Sequence, residues 1–305
     1  MSKIRFGFTL PVHQVNNSNR KTFVGDLNKT LDFISGHFDS FWTIDHLQSG
    51  EADLLESFTT LSYMAALHPQ FNFGHVVVCQ SFRNPALLAK MSATLQFLTG
   101  GRFTLGIGAG WNEEEYRAYG YDFPSARERV EQLEETLQIV RAMWTESKAT
   151  FRGKHYEIAD AYCEPKPNPI PSMMIGAFQP KMLRLTAKYA DEWNVSSTSV
   201  VKYRQLVKNF ERACIEIDRE PTSVRRSWCG GCFCAPTQAE AERQAGEVND
   251  SEDDFDFVGT PQQILHQMRP FIDLGVNTFM LDFNGFPNFS AIELFVREVL
   301  PVLNK

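Results

Sequence analysis

N-F-G-H-V-V-V-C-Q-S-F-R-N-P-A-L-L-A-K-M-S-A-T-L-Q-F-L-T-G-G-R-F-T-L-G-I-G-A-G-W-N, residues Asn72–Asn112, reads as a strand, a helix and a second strand in direct succession. Asn72–Cys79 is the first of these strands, carried by its β-branched run. Asn84 offers a capping oxygen, Pro85 suits the first helical position, and Gly100 and Gly101 stop the helix. Arg102–Ile107 is the strand that follows. The same alternation runs outward in both directions. Ile4–Leu10 and Ser40–Ile44 are strands before this unit, with helices at Phe23–Gly36 and Leu54–Leu67. Ser172–Ile175, Glu192–Val195, Arg226–Ala235 and Asn277–Asp282 are strands after it.

Helices fall between them. One opens at Ser125, which with Glu128 has capping-box spacing, and buries Val130, Leu133, Leu137, Val140 and Trp144 at helical period. Others run over Pro180–Ala190, Tyr203–Asp218, from Thr237, from Thr260–Pro261, and over Ala291–Leu303. Phe151–Pro171, with its E-P-K-P-N-P-I-P run, is neither central strand nor helix and reads as an insertion before the fifth strand. The acidic stretch Glu247–Asp256 reads as a loop. Eight strands alternating with helices, without a linker-like break, predict an α/β fold of one domain over residues 1–305: a closed (β/α)8 TIM barrel. A doubly wound open sheet is the alternative.

The composition, 43% apolar and 22% charged, is that of a globular enzyme. A net charge of −7 argues against a nucleic-acid or anionic-membrane partner, which needs a basic face. No apolar run approaches a membrane span, and Met1–Pro11 reads as a strand rather than a signal peptide. Six scattered cysteines fit a reducing, cytoplasmic setting. Cys229, Cys232 and Cys234 cluster as C-G-G-C-F-C without a fourth ligand nearby, which favours structural thiols over a metal site.

A barrel builds its active site where strands end. After the second strand stands T-I-D-H, with Asp45 and His46. A carboxylate beside an imidazole is a proton-handling pair, or else a polar turn. After the fourth strand stands G-I-G-A-G-W-N, Gly106–Asn112. Its third glycine comes one residue too early for a dinucleotide fingerprint, and no acidic strand end follows, so a Rossmann reading is rejected. After the fifth strand stands I-G-A-F-Q-P, Ile175–Pro180, opening a helix whose N-terminus can hold a phosphate. After the third stand Cys79 and Arg83; Arg83 pairs either with an acidic tail or with a neighbouring helix.

Taken in order, F-D-S-F-W-T-I-D-H (Phe38–His46), S-F-R-N-P-A-L-L-A-K-M-S-A-T-L (Ser81–Leu95), T-G-G-R-F-T-L-G-I-G-A-G-W-N-E-E-E-Y (Thr99–Tyr116), R-E-R-V-E-Q-L-E-E (Arg127–Glu135), F-R-G-K-H-Y (Phe151–Tyr156), E-P-K-P (Glu164–Pro167), K-Y-A-D-E-W-N (Lys188–Asn194) and V-G-T-P (Val258–Pro261) resemble the bacterial luciferase-like flavin and deazaflavin oxidoreductases. The likeness is greatest to the coenzyme F420-dependent branch. The resemblance implies the luciferase-like barrel and a non-proline cis peptide at Val76–Val77 against the cofactor. It implies His46 as the catalytic group and Asp45 as a cofactor contact. Cys79, Ala109, Gly110, Asn112, Gly176, Ala177, Phe178 and Gln179 would line the cofactor. It also implies a homodimer. Two departures stand out. Trp111 occupies the place of a glutamate found in one dehydrogenase branch, which leaves His46 without that second proton donor. Ala177 and Phe178 replace smaller residues.

The expectation is a hydride transfer between coenzyme F420 and a small organic substrate, with His46 donating or accepting the proton. Trp42, Phe82 and Trp111 would wall the substrate cavity, or else pack in the core. An FMN-dependent monooxygenase of the same fold is the alternative. A metal-dependent barrel using Asp45 and His46, with Asp282 as a further ligand, would need three convergent ligands. A cofactor-binding chain without catalysis is a fourth reading.

Overall fold

The computed structural model describes residues 3–15, 19–246 and 255–303. The strands, in chain order, are β1 (Arg5–Thr9), β2 (Ser40–Thr43), β3 (Asn72–His75), β4 (Val78–Cys79), β5 (Phe103–Gly108), β6 (Ala149–Arg152), β7 (Glu157–Ala161), β8 (Ser172–Gly176), β9 (Glu192–Ser196), β10 (Arg225–Cys234), β11 (Phe257–Gly259) and β12 (Thr278–Asp282). The helices are α1 (Phe23–Ile34), α2 (Ser57–Leu67), α3 (Pro85–Leu98), α4 (Glu113–Ala118), α5 (Ala126–Thr145), α6 (Pro180–Tyr189), α7 (Val200–Ile215), α8 (Gln238–Gly246), α9 (Pro261–Asp273), α10 (Ser290–Leu294) and α11 (Leu300–Leu303).

Parallel pairing runs β1–β2–β3–β5–β8–β9–β10–β12 and back to β1. The ring is closed, and the open-sheet alternative is excluded. The third position is shared: β3 and β4 both pair with β5, separated by a cis peptide at Val76–Val77. The expected continuous strand Asn72–Cys79 is therefore two short ones. Close packing explains a glycine beside this break. A Cβ on Gly106 would lie 1.9 Å from the His75 carbonyl oxygen.

The helix signals act as read. Asn84 Oδ1 accepts from the Ala86 and Leu87 amides at the start of α3. Ser125 and Glu128 close a reciprocal capping box on α5. The insertion before β8 carries an antiparallel hairpin, β6–β7, that its aromatic and proline content did not reveal. Also unanticipated are α4 and β11, the latter extending the end of β10. The closing helix contains a π turn over Phe295–Val299. Residues 247–254, most of the expected acidic loop, lie outside the described residues.

Two layers of core result. The main one lies between barrel and helices, where Trp193 stacks on Phe210 and Trp228 packs on Phe257 and Phe271. The barrel interior is filled by Trp42, Met174, Cys229 and Met280, with Val76 and Val77 packed against them. All six cysteines are buried free thiols. Among the described residues, no helix is long and apolar enough to cross a membrane.

Candidate active site

A cavity of about 430 Å³ opens at the strand ends, between the loop after β2 and the loop after β5. This is within the size range of small-molecule sites. His46, Trp111 and Asn112 line it, with Ile44, Leu54 and Glu115 among its other walls. The Trp111 ring stands edge-on to His46, with ring centroids 5.8 Å apart.

His46 is held by a residue the sequence reading did not single out. Its Nδ1 lies 2.6 Å from Glu115 Oε1. The Glu115 side chain is 3% exposed, that of His46 31%. A carboxylate only accepts, so Nδ1 carries the proton and Nε2 is left as the nitrogen available for exchange. Glu115 reaches this place because α4 starts directly after Asn112. Of the acids Glu113, Glu114 and Glu115 in that short helix, Glu115 is the buried one. An acid thus reaches His46 from four residues beyond Trp111. The run N-E-E-E-Y does not by itself pick out the buried acid, since three successive helical positions sweep only about 200° and can all face water.

Asp45, next in the chain, points away from the cavity wall that His46 forms. Its Oδ1 accepts from Ser57 Oγ at 2.5 Å and Arg83 Nη2 at 2.9 Å. Its Oδ2 accepts from Arg83 Nη1 at 2.7 Å and the Cys79 amide at 2.9 Å. Four bonds use the carboxylate's full acceptor capacity, and the side chain is 1% exposed. Asp45 is a strut tying β2 to β4 and α2. Burial pushes its carboxyl up, and the hydrogen bonds and charge of Arg83 more than offset this, holding it below the ordinary value. Arg83 is a structural ion pair: it also reaches Glu56 Oε1 at 2.8 Å. Glu56 caps α2 through the Phe58 and Thr59 amides. Its burial works upward, but hydrogen bonds from Thr59, Phe58 and Arg83 draw it down to about 2.

Below the network lies His75, fully buried, with neither ring nitrogen bonded. Burial drives it down to about 3, so it stays neutral and packs as an aromatic ring 4.2 Å from that of Phe58.

Two expected cavity walls lie elsewhere. Trp42 fills the barrel interior, its indole donating to Ser40 Oγ at 2.8 Å. Phe82 belongs to a separate cluster with Cys79 and Tyr116, because the 3₁₀ turn Gln80–Phe82 swings it towards α4. Cys79 is buried there with its Sγ 3.1 Å from the Tyr116 hydroxyl, and burial raises its thiol to about 11. Ala177 is likewise core: 1% exposed, its amide donates to Asn194 and its carbonyl accepts from Trp193 Nε1.

The remaining expected positions form two groups. Gly110 is tight against Cys79 and Tyr116, where a Cβ would come 2.1 Å from the phenol oxygen, and its φ is +80°. Val77 faces Gly108 and Gly176; a Cβ on either would approach it to 3.0 and 3.2 Å. These glycines keep the strand ends bare of side chains beside half-buried Val76, Val77 and Ala109. Phe178 is half-buried and Gln179 exposed at the start of α6, whose cap carries no side-chain hydrogen bond.

Across the mouth, His13 also lines the cavity, and its Nε2 is 3.6 Å from Asp282 Oδ2. Burial raises the Asp282 carboxyl, His13 opposes this, and Asp256 adds to it. Among the described residues, no group of three or more His, Cys, Asp and Glu side chains is arranged to hold a metal ion.

The fold recurs in solved structures. An F420-dependent secondary alcohol dehydrogenase in complex with an F420–acetone adduct superposes with a TM-score of 0.84 at 17% identity, covering 99% of this chain and 100% of that one. A monooxygenase from Streptomyces bottropensis gives 0.84 at 17%, covering 98% and 99%. In sequence, the chain is 28% identical over 303 residues to the F420-dependent glucose-6-phosphate dehydrogenase of Intrasporangium calvum, covering 87% of this chain and 90% of that protein. The model of the luciferase-like monooxygenase family matches residues 6–256, and with the closed barrel beneath that match the chain belongs to this family of oxidoreductases.

Proposed function

We propose that this chain is a coenzyme F420-dependent oxidoreductase acting on a small organic substrate, with His46 exchanging the proton. The observation that carries the reading is the imidazole fixed by Glu115 at the wall of a strand-end cavity. The similarity to F420-dependent dehydrogenases along 87% of the chain supports the choice of cofactor.

The residues fit such a group. The glycine-bared strand ends at Gly108 and Gly176, beside the cis Val76–Val77 segment, leave a surface that a Cβ would obstruct. Val76, Val77, Ala109, Gly110 and Asn112 would hold the ring. Gly176, Phe178 and Gln179 would hold the anionic tail at the N-terminus of α6, where amides lack a side-chain cap and Lys181 and Arg184 add positive charge. When bound, the deazaflavin supplies the hydride chemistry. The protein supplies orientation and a proton path. Glu115 holds the Nδ1 proton and so presents Nε2 of His46 for exchange with the reacting group. Trp111 and Leu54 give the cavity an apolar lining. Asp45 and Arg83 fix the backbone on which His46 stands.

The test is a cofactor titration of the purified protein, read by fluorescence, with F420 and FMN in parallel. Micromolar or tighter F420 binding and loss of turnover in His46→Ala are expected. Tight FMN binding without F420 binding would instead favour a flavin monooxygenase.

A further inference from the structure

The same cavity carries a charge pattern that bears on its substrate. None of its lining residues is a lysine or an arginine. Its ionisable walls are His13, His46, Glu114 and Glu115. Three arginines of the flanking segments are engaged elsewhere. Arg83 is spent on Asp45 and Glu56, Arg117 on Glu113, and Arg20 on Asp53.

Barrels commonly bind a phosphate in the loops after the seventh and eighth strands. Here those positions are acidic. Asp282 ends β12 beside His13, and its Oδ1 is buried without a hydrogen-bond partner among the described residues. Asp256 sits against the end of β10, accepting from the Gly231 amide at 2.7 Å and from Ser197 Oγ. An anionic substrate group would meet the Glu114 and Glu115 carboxylates, with no lysine or arginine among the lining residues to receive it. A hydroxyl or ammonium group would find acceptors.

We infer that this cavity admits neutral or cationic organic substrates presenting hydrogen-bond donors, and turns away phosphorylated ones. The inference rests on the reading of the cavity as the active site. It sets the chain apart from a glucose-6-phosphate dehydrogenase, the activity named for its relative at 28% identity.

Trp111 makes the charge measurable without cofactor. It is 72% exposed, while Trp42, Trp144, Trp193 and Trp228 are at most 5% exposed. Quenching of tryptophan fluorescence by iodide, caesium and acrylamide, each normalised to free N-acetyltryptophanamide, therefore reads the cavity mouth, with Trp111→Phe as the baseline. At low ionic strength, iodide should quench at least about fivefold less than caesium, with acrylamide between. Glu114→Lys should narrow the gap. A second arm supplies F420-loaded protein with glucose 6-phosphate, glucose and glucosamine. Glucose 6-phosphate should give no turnover above background. Iodide quenching equal to that of caesium, or oxidation of glucose 6-phosphate, overturns the inference. Failure of F420 to bind would instead count against the proposed function, and the iodide-to-caesium ratio would still report on the cavity.

Discussion

Replacing Glu115 by glutamine isolates what the buried carboxylate does for His46. The side chains are nearly isosteric, so packing around α4 is kept. What changes is the 2.6 Å contact to Nδ1, in a place where Glu115 is only 3% exposed and solvent screens little. A hydrogen bond involving a charged group contributes about 1.5–3 kcal/mol, and a neutral one about 0.5–1.5 kcal/mol. The substitution should therefore cost about 1–2 kcal/mol, or about 5- to 30-fold in kcat. An amide can also donate to Nδ1, which would move the ring proton to Nε2 and lower activity by the same route. KM should change little. The assay is steady-state turnover with F420 and a substrate found by screening, run as a double-mutant cycle with His46→Asn. If the two groups act as a unit, adding Glu115→Gln to His46→Asn should lower kcat no further. Losses that multiply, or a Glu115→Gln protein with unchanged kcat, would refute the coupling.

Arg83→Met strands the buried Asp45 carboxylate and should cost about 3–5 kcal/mol in urea unfolding, with Asp45→Asn in the same chain restoring part of it; a loss under about 1 kcal/mol would show the network to be idle. Asp45 and Glu56 both titrate below their ordinary values, so the stability they contribute is complete above about pH 4.5 and is lost as pH falls towards about 2. The Glu56 share is small, because that side chain is 44% exposed; a midpoint flat across this window would contradict the assignment. Gly106→Ala pushes a methyl into the His75 carbonyl and should destabilise by more than about 3 kcal/mol or prevent folding. Gly25→Ala, in α1 with nothing within 4 Å, should instead raise stability by about 0.4–1 kcal/mol, as measured by chemical denaturation.

The barrel was legible because its signals are local. Caps at Asn84 and Ser125 and the β-rich runs between helices need no knowledge of the rest of the chain. The elements that escaped notice lack such signals. Helix α4 has six residues and opens on three glutamates, too short for a periodicity. The hairpin β6–β7 is short, mostly exposed, and carries a register shift. The site was half legible for a related reason. His46 and Trp111 follow from the strand-end rule, but the rule cannot say which way adjacent side chains point. Asp45 and His46 share a turn, yet one is sealed under Arg83 and the other faces the cavity. Phe82 looked like a wall because it follows a strand; a single 3₁₀ turn sends it into the cluster with Tyr116. Pairings between groups far apart in sequence, such as His46 with Glu115, become visible only once the ring closes.

The six buried thiols have a use unrelated to catalysis. They are spread through β4, the insertion, α7 and β10, and burial keeps Cys79 near 11 and Cys229 and Cys234 near 12. Such thiols are chemically silent while their surroundings hold. Each becomes alkylatable only when its own part of the barrel opens. Pulse labelling followed by mass mapping would therefore give the order in which sectors of the ring come apart, with the protein's own cysteines as clocks.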